Sequence, residues 1–151
     1  MKYWPMILIM LIILACTTHG QRNTADDLTA KWQVVSFTTA GESGSEDEAK
    51  KYKVVFDNGT FIVSKDGSVI QEGTYELIPG EDPKAADLNF ANGDKLKAKT
   101  ALGIYRITDD ELSICFTAPS ERVPPGGERP QVFESTAENG YRLNVYKRIS
   151  E

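Results

Sequence analysis

From Tyr52 onward, apolar and polar residues alternate with a period of two, and turn residues interrupt the alternation every 8–12 residues. Tyr52, Val54 and Phe56 share one face of a strand. Asp57-Asn58-Gly59 is a hairpin turn, because Asn and Gly tolerate positive φ, and Thr60 to Ser64 returns. Lys65-Asp66-Gly67-Ser68 turns again into Val69 to Ile78, with Gly73 expected at a bend or bulge. Pro79 to Pro83 is a loop. Ala86, Leu88 and Phe90 alternate up to Asn92-Gly93-Asp94, and Lys95 to Thr100 is weakly patterned, a turn or edge. Gly103 to Ile107, the charged turn Thr108-Asp109-Asp110-Glu111, and Leu112 to Phe116 form a further hairpin. A loop stiffened by Pro119, Pro124, Pro125 and Pro130 leads to Phe133, read as part of another strand. Asn139-Gly140 turns into the last strand, Tyr141 to Lys147.

Ahead of this series, Thr24 to Leu28 carries a helix-start signal, with Thr24 as cap and Asp26 and Asp27 at the positive end of the dipole. Trp32 to Phe37 is a strand with apolar residues on both faces, as in a strand buried in a curled sheet. Ala40 to Glu48 is a loop or a frayed helical turn. About nine short strands and one short N-terminal helix predict an all-β domain. The expected architecture is a single antiparallel up-and-down meander closing into a barrel of eight or nine strands, since closure removes exposed edges.

The first residues obey a different pattern. Lys2 precedes an unbroken apolar run from Met6 to Leu14, and Ile13-Leu14-Ala15-Cys16 resembles the lipobox of bacterial lipoproteins. The resemblance implies cleavage before Cys16, acylation of that cysteine, export, and attachment to the cell-envelope membrane through the lipid. The alternative is an uncleaved anchor, for which the run falls short of the roughly 20 residues a spanning helix needs. The expected organisation is therefore a signal peptide at 1–15, a tether at 16–23 and a barrel domain at 24–151. The single histidine, His19, falls in the tether, where solvation is the plainer reading.

The chain carries 17 Lys and Arg against 22 Asp and Glu, a formal charge of −5. Loss of Lys2 with the leader leaves 16 against 22, or −6. An acidic domain without a basic cluster argues against nucleic acid as a partner and against lying flat on an anionic membrane. Of the two cysteines, acylation of Cys16 leaves Cys115 alone. Without acylation, a Cys16–Cys115 bridge is conceivable in an oxidising compartment.

Little in the sequence carries covalent chemistry. Nucleophilic catalysis needs an activated Ser or Cys beside a base, and Cys115 has no histidine partner. It reads as a small packed residue, with a reactive thiol as the alternative. Zinc-ligand spacing, phosphate loops and dinucleotide fingerprints are absent, so no cofactor or metal is expected. The acidic runs at Glu42, Glu46, Asp47, Glu48 and at Asp109, Asp110, Glu111 lie in turns. They read as solvated faces rather than a calcium loop or a glycosidase pair. The reading is non-enzymatic.

One series of motifs is more specific. Trp32-Gln33-Val34-Val35, Gly73-Thr74-Tyr75, Lys84 to Leu88, Leu102 to Tyr105, Leu112 to Phe116, Pro119, Arg129-Pro130 and Phe133 occur in this order. Together they resemble a small lipocalin-like domain family of secreted or lipid-anchored proteins, expanded in planctomycete-type bacteria and of uncharacterised function. The resemblance spans about residues 28 to 148. It implies a barrel and an envelope location but no activity. In lipocalins an Arg of the last strand covers the first-strand Trp. Arg148 or Arg142 could do so for Trp32, or both could be solvated.

The candidate ligand-binding residues are Arg129, Tyr105, Arg106 and Cys115; Trp32, Arg148, Phe116 and Phe133 are candidate structural residues. Arg129 either hangs over the barrel mouth to receive an anionic group or pairs with an acidic neighbour and fixes its loop; Arg106 invites the same two readings. Two functions compete. One is a binding module for a small apolar or amphiphilic ligand. The other is a structural barrel, filled by its own side chains, that meets an envelope protein through its loops. An envelope hydrolase is a remote third. A connected cavity with a few polar groups is the observation that separates them.

Overall fold

The computed structural model of the protein describes residues 28–91, 99–119 and 127–150. In chain order the elements are β1 (Ala30–Thr39), β2 (Glu42–Ser43), α1 (Glu46–Ala49), β3 (Tyr52–Asp57), β4 (Thr60–Lys65), β5 (Ser68–Ile78), β6 (Ala85–Ala91), β7 (Lys99–Thr108), β8 (Glu111–Phe116) and β9 (Arg142–Arg148). Every pairing is antiparallel. From β3 to β9 each strand pairs with the next, and β1 bonds both β3 and β9, so eight strands close into an up-and-down barrel. The short β2 is an extra strand. It bonds the end of β1, at Thr38 and Thr39, beyond the reach of β3.

The hairpins form where the sequence places them. Asn58 and Gly59 have φ of 45° and 83°, and Asp66 and Gly67 have 50° and 81°. Positive φ at both central residues matches the right-handed twist of the strands on either side. The helix expected near Thr24 and the lipobox at Cys16 lie outside the described residues. Among the described residues, the helical turn α1 sits inside the stretch read as loop or frayed turn, with the Ser45 hydroxyl accepting from the Glu48 N–H.

Three expectations are corrected. First, β1 is not buried on both faces. Its register with β9 passes from Val34↔Tyr146 to Ser36↔Val145, which leaves Val35 as an extra residue. This bulge switches the inward face from Trp32 and Val34 to Phe37 and Thr39, so apolar residues fall on both parities of one strand. Second, the β5 irregularity falls at Ile70, between the pairs Val63↔Gln71 and Ser64↔Val69, and not at Gly73. Gly73 is regularly paired. Its bare Cα lies against the Asn89 carbonyl and the Phe61 ring, since a Cβ there would collide with that oxygen and lie 2.7 Å from Cζ of Phe61. Third, Phe133 belongs to no strand. The Asn139 side chain accepts from the N–H groups of Thr136 and Tyr141 and donates to the Glu134 carbonyl. These bonds satisfy locally backbone groups that a ladder would otherwise use.

The segment carrying Arg129 and Glu134 packs on the outside of β6–β8. Ala85, Ile104 and Cys115 lie side by side in register there, facing away from the lumen, and each is at most 1% exposed. Inside the barrel the core is filled at one end, the base, by Leu28, Trp32, Tyr105, Leu112 and Tyr75.

Candidate functional site

Period-two alternation on eight strands sends one residue in two into the lumen. Towards the base these residues touch. Towards the opposite end they enclose a cavity of about 250 Å³. Its walls are Val34, Val54, Val63, Leu88 and Ile114, with the rings of Phe37, Phe56, Phe61, Phe90 and Phe116. The rings brace one another. Phe61 meets Phe90 edge-on at 5.2 Å, Phe56 lies 6.0 Å from Phe61, and Phe90 lies 6.3 Å from Phe116. Such contacts hold each ring in place beyond what area burial alone would do.

The polar lining is concentrated on β9. Arg142, Asn144 and Tyr146 face the lumen at successive inward positions, a column from mouth to mid-depth. Asn144 Nδ2 donates to the Tyr146 hydroxyl at 2.9 Å. Burial pushes the Tyr146 phenol up to about 12, only partly opposed by that bond. Tyr146 therefore stays neutral and keeps its own proton to donate. Arg142 is exposed at the mouth, and its side chain has no ion pair or hydrogen bond among the described residues.

Thr39 and Tyr52 complete the lining, and α1 anchors the rim beside Tyr52. Glu48 accepts from Lys51 at 2.8 Å, from Lys65 at 2.6 Å and from the Tyr52 hydroxyl at 3.2 Å. The Lys51 and Lys65 ammonium groups hold its carboxyl down at about 2, and the Lys65 ammonium is raised above its ordinary value by Glu48. Lys65 also sits 5.0 Å over the Tyr52 ring. Its charge is thus committed within the rim. Gln33 ties the same region down by donating to the carbonyls of Lys50 and Tyr52.

The four candidate ligand-binding residues lie elsewhere. Arg129 is on the outer wall, donating to the Gly103 carbonyl at 2.8 Å, the Ala86 carbonyl at 3.3 Å and Asp87 Oδ1 at 2.7 Å. It fixes its loop to two strands. Arg106 is outside as well, 4.7 Å over the Phe133 ring. Tyr105 faces inward but is packed into the base. Cys115 is fully buried under the outer segment, its thiol against the Glu134 carbonyl at 3.5 Å, and desolvation raises its pKa. Of the candidate structural residues, Phe116 lines the cavity and Arg148 stands 4.4 Å over the Trp32 ring. Sequence reasoning missed Asn144, Tyr146 and the Phe37–Phe61–Phe90 wall, and it weighed Arg142 only for the Trp32 role. The alternation of Arg142, Asn144 and Tyr146 was the available signal; a turn-bounded final strand with polar residues on its inward parity marks a polar stripe in a lumen.

Among the described residues, no group of three or more His, Cys, Asp or Glu side chains could hold a metal ion. The chain matches no protein-family model, and no curated protein or solved structure matches it.

Proposed function

We propose that the protein is a non-catalytic binding module of lipocalin type, carrying one small amphiphilic molecule in the mouth half of its barrel. The observation that supports this is the cavity of about 250 Å³ with aromatic walls and a few polar groups, most of them on β9. Small-molecule sites combine apolar walls with a few placed polar groups in this way, and a dry cavity of about 150 Å³ already admits benzene. The apolar body of the ligand lies against Phe61, Phe90 and Phe116, and Asn144 and Tyr146 orient it. The leader sequence supports an envelope location, with Cys16 acylated and the barrel held at the membrane by that lipid.

Native mass spectrometry of the full-length protein from its own cells, followed by denaturing extraction, tests the carrier role. One small molecule per chain is expected, lost when Val63→Trp fills the cavity. A clean mass for both proteins, with no melting shift across a panel of small amphiphiles, contradicts it. The location is tested by Cys16→Ala, which should move the protein out of the membrane fraction and remove the acyl mass from its N-terminal peptide.

The second reading, a barrel that meets an envelope protein, is favoured by a different observation. Val69 and Ile70, at the bulged start of β5, are 61% and 53% exposed. On that reading Val69→Asp abolishes a cross-link to a protein partner, and filling the cavity has no effect.

A further inference from the structure

We propose that the occupant is a small monocarboxylate whose carboxylate sits on Arg142. The inference rests on the binding role above and names the ligand class for that same cavity.

Three features of the mouth carry it. The first is position. In register across the sheet, Arg142 lies between Thr39 of β1 and Phe116 of β8, and both of these neighbours line the cavity. Its guanidinium therefore stands where the apolar wall ends and solvent begins, the place an amphiphile puts its head group.

The second is the absence of competition. The Arg142 side chain has no partner among the described residues, whereas the rim lysines Lys65 and Lys51 are engaged by Glu48. The carboxylate nearest in register is Glu42, two strands away in the same row, about 10 Å at ordinary strand spacing. No ion pair joins the two. A planar guanidinium with free N–H groups matches a carboxylate bidentately.

The third is the count of charges. Arg142 is the one Lys or Arg lining the cavity among the described residues. A single cation balances a carboxylate. A phosphate monoester, carrying about −1.5 to −2 at neutral pH, would keep uncompensated charge at the edge of an apolar wall. The cavity volume sets the body at on the order of six to ten carbons, scaled from the space that takes benzene.

Calorimetric titration of the full-length protein with sodium octanoate, 1-octanol and octylammonium tests the proposal. Octanoate is expected to bind about 10- to 100-fold more tightly than octanol, the worth of a charge-assisted bond. Arg142→Gln should erase that difference by weakening octanoate much more than octanol, and Arg142→Lys should retain part of it. Raising the salt concentration should weaken octanoate alone. Equal affinity for octanoate and octanol, tighter binding of octylammonium, or an equal loss for both in Arg142→Gln would overturn the carboxylate assignment while leaving the carrier role standing. No binding of any of the three, together with a clean native mass, overturns both.

Discussion

Arg148 lies directly across the β1–β9 ladder from Trp32, with its guanidinium carbon 4.4 Å from the centre of the indole. Trp32 is completely buried and donates from Nε1 to the Leu28 carbonyl at 2.9 Å. One residue pair thus ties the first strand, the last strand and the chain entering β1 into a plug at the base. The plug confines free volume to the opposite end. Arg148→Met, which keeps the stem but not the charge, should cost about 1 kcal/mol. Trp32→Ala should cost about 3–5 kcal/mol. Chemical denaturation followed by circular dichroism checks both. If Arg148→Met is neutral and leaves the indole fluorescence unchanged, the stacked geometry is not what holds the base.

Arg129 is a buckle on the outer wall. Its side chain is 22% exposed and that of Asp87 26%. Truncation to alanine leaves the Asp87 carboxylate and two strand carbonyls short of a donor, and is expected to cost about 2–3 kcal/mol. Ligand affinity should not change, because neither residue lines the cavity. A binding defect in Arg129→Ala at a temperature where the protein is fully folded would put Arg129 back at the site.

The Glu48 cluster makes the rim acid-sensitive. Its folded-state pKa, about 2, is below the ordinary 4.5 because Lys51 and Lys65 donate to it. A depressed carboxyl stabilises the fold above its unfolded value and loses that contribution as pH falls through the folded value. The window is therefore from about pH 4.5 down to about 2. Wild type should melt above Glu48→Gln at neutral pH, and the gap should close across that window. Because the carboxylate is partly exposed, added salt should also shrink the gap. A gap that is constant from neutral pH to pH 2 would show that Glu48 acts through packing alone.

Gly44 lies against the Phe37 ring, which lines the cavity. A Cβ at this position would fall within 2.6 Å of Cε1 of Phe37, a ring that lines the cavity. Gly44→Ala should displace Phe37, cost about 1–3 kcal/mol in strain, and change ligand affinity although position 44 is not in the wall of the ligand cavity. Unchanged affinity would mean that Phe37 gives way outward.

The fold was legible because its signals are local. Asn58-Gly59 and Asp66-Gly67 specify their turns by the sign of φ, and Tyr52, Val54 and Phe56 declare an inward face by alternation alone. What escaped depends on pairing between distant strands. The parity switch at Val35 is a property of β1 against β9, and nothing in Gln33-Val34-Val35-Ser36 announces it. Arg129 drew attention for its prolines and glycines. Whether such a loop folds over the mouth or down the wall is decided by Asp87 and the Gly103 carbonyl, far away in sequence. Arg142 was visible as a charge, but its role follows from which end of the lumen stays open. That in turn depends on Trp32, Leu28 and Tyr105 filling the other end.

The proposed carrier role requires that the lumen opposite Trp32 receive a ligand. Methyl-resolved NMR of the full-length protein during titration with octanoate reads this directly. Saturable shifts are expected at Val34, Val54, Val63, Leu88 and Ile114, with Leu28, Leu112 and Ile104 still. Shifts confined to the exposed Val69, Ile70 and Val132, or none at saturating ligand, would contradict it.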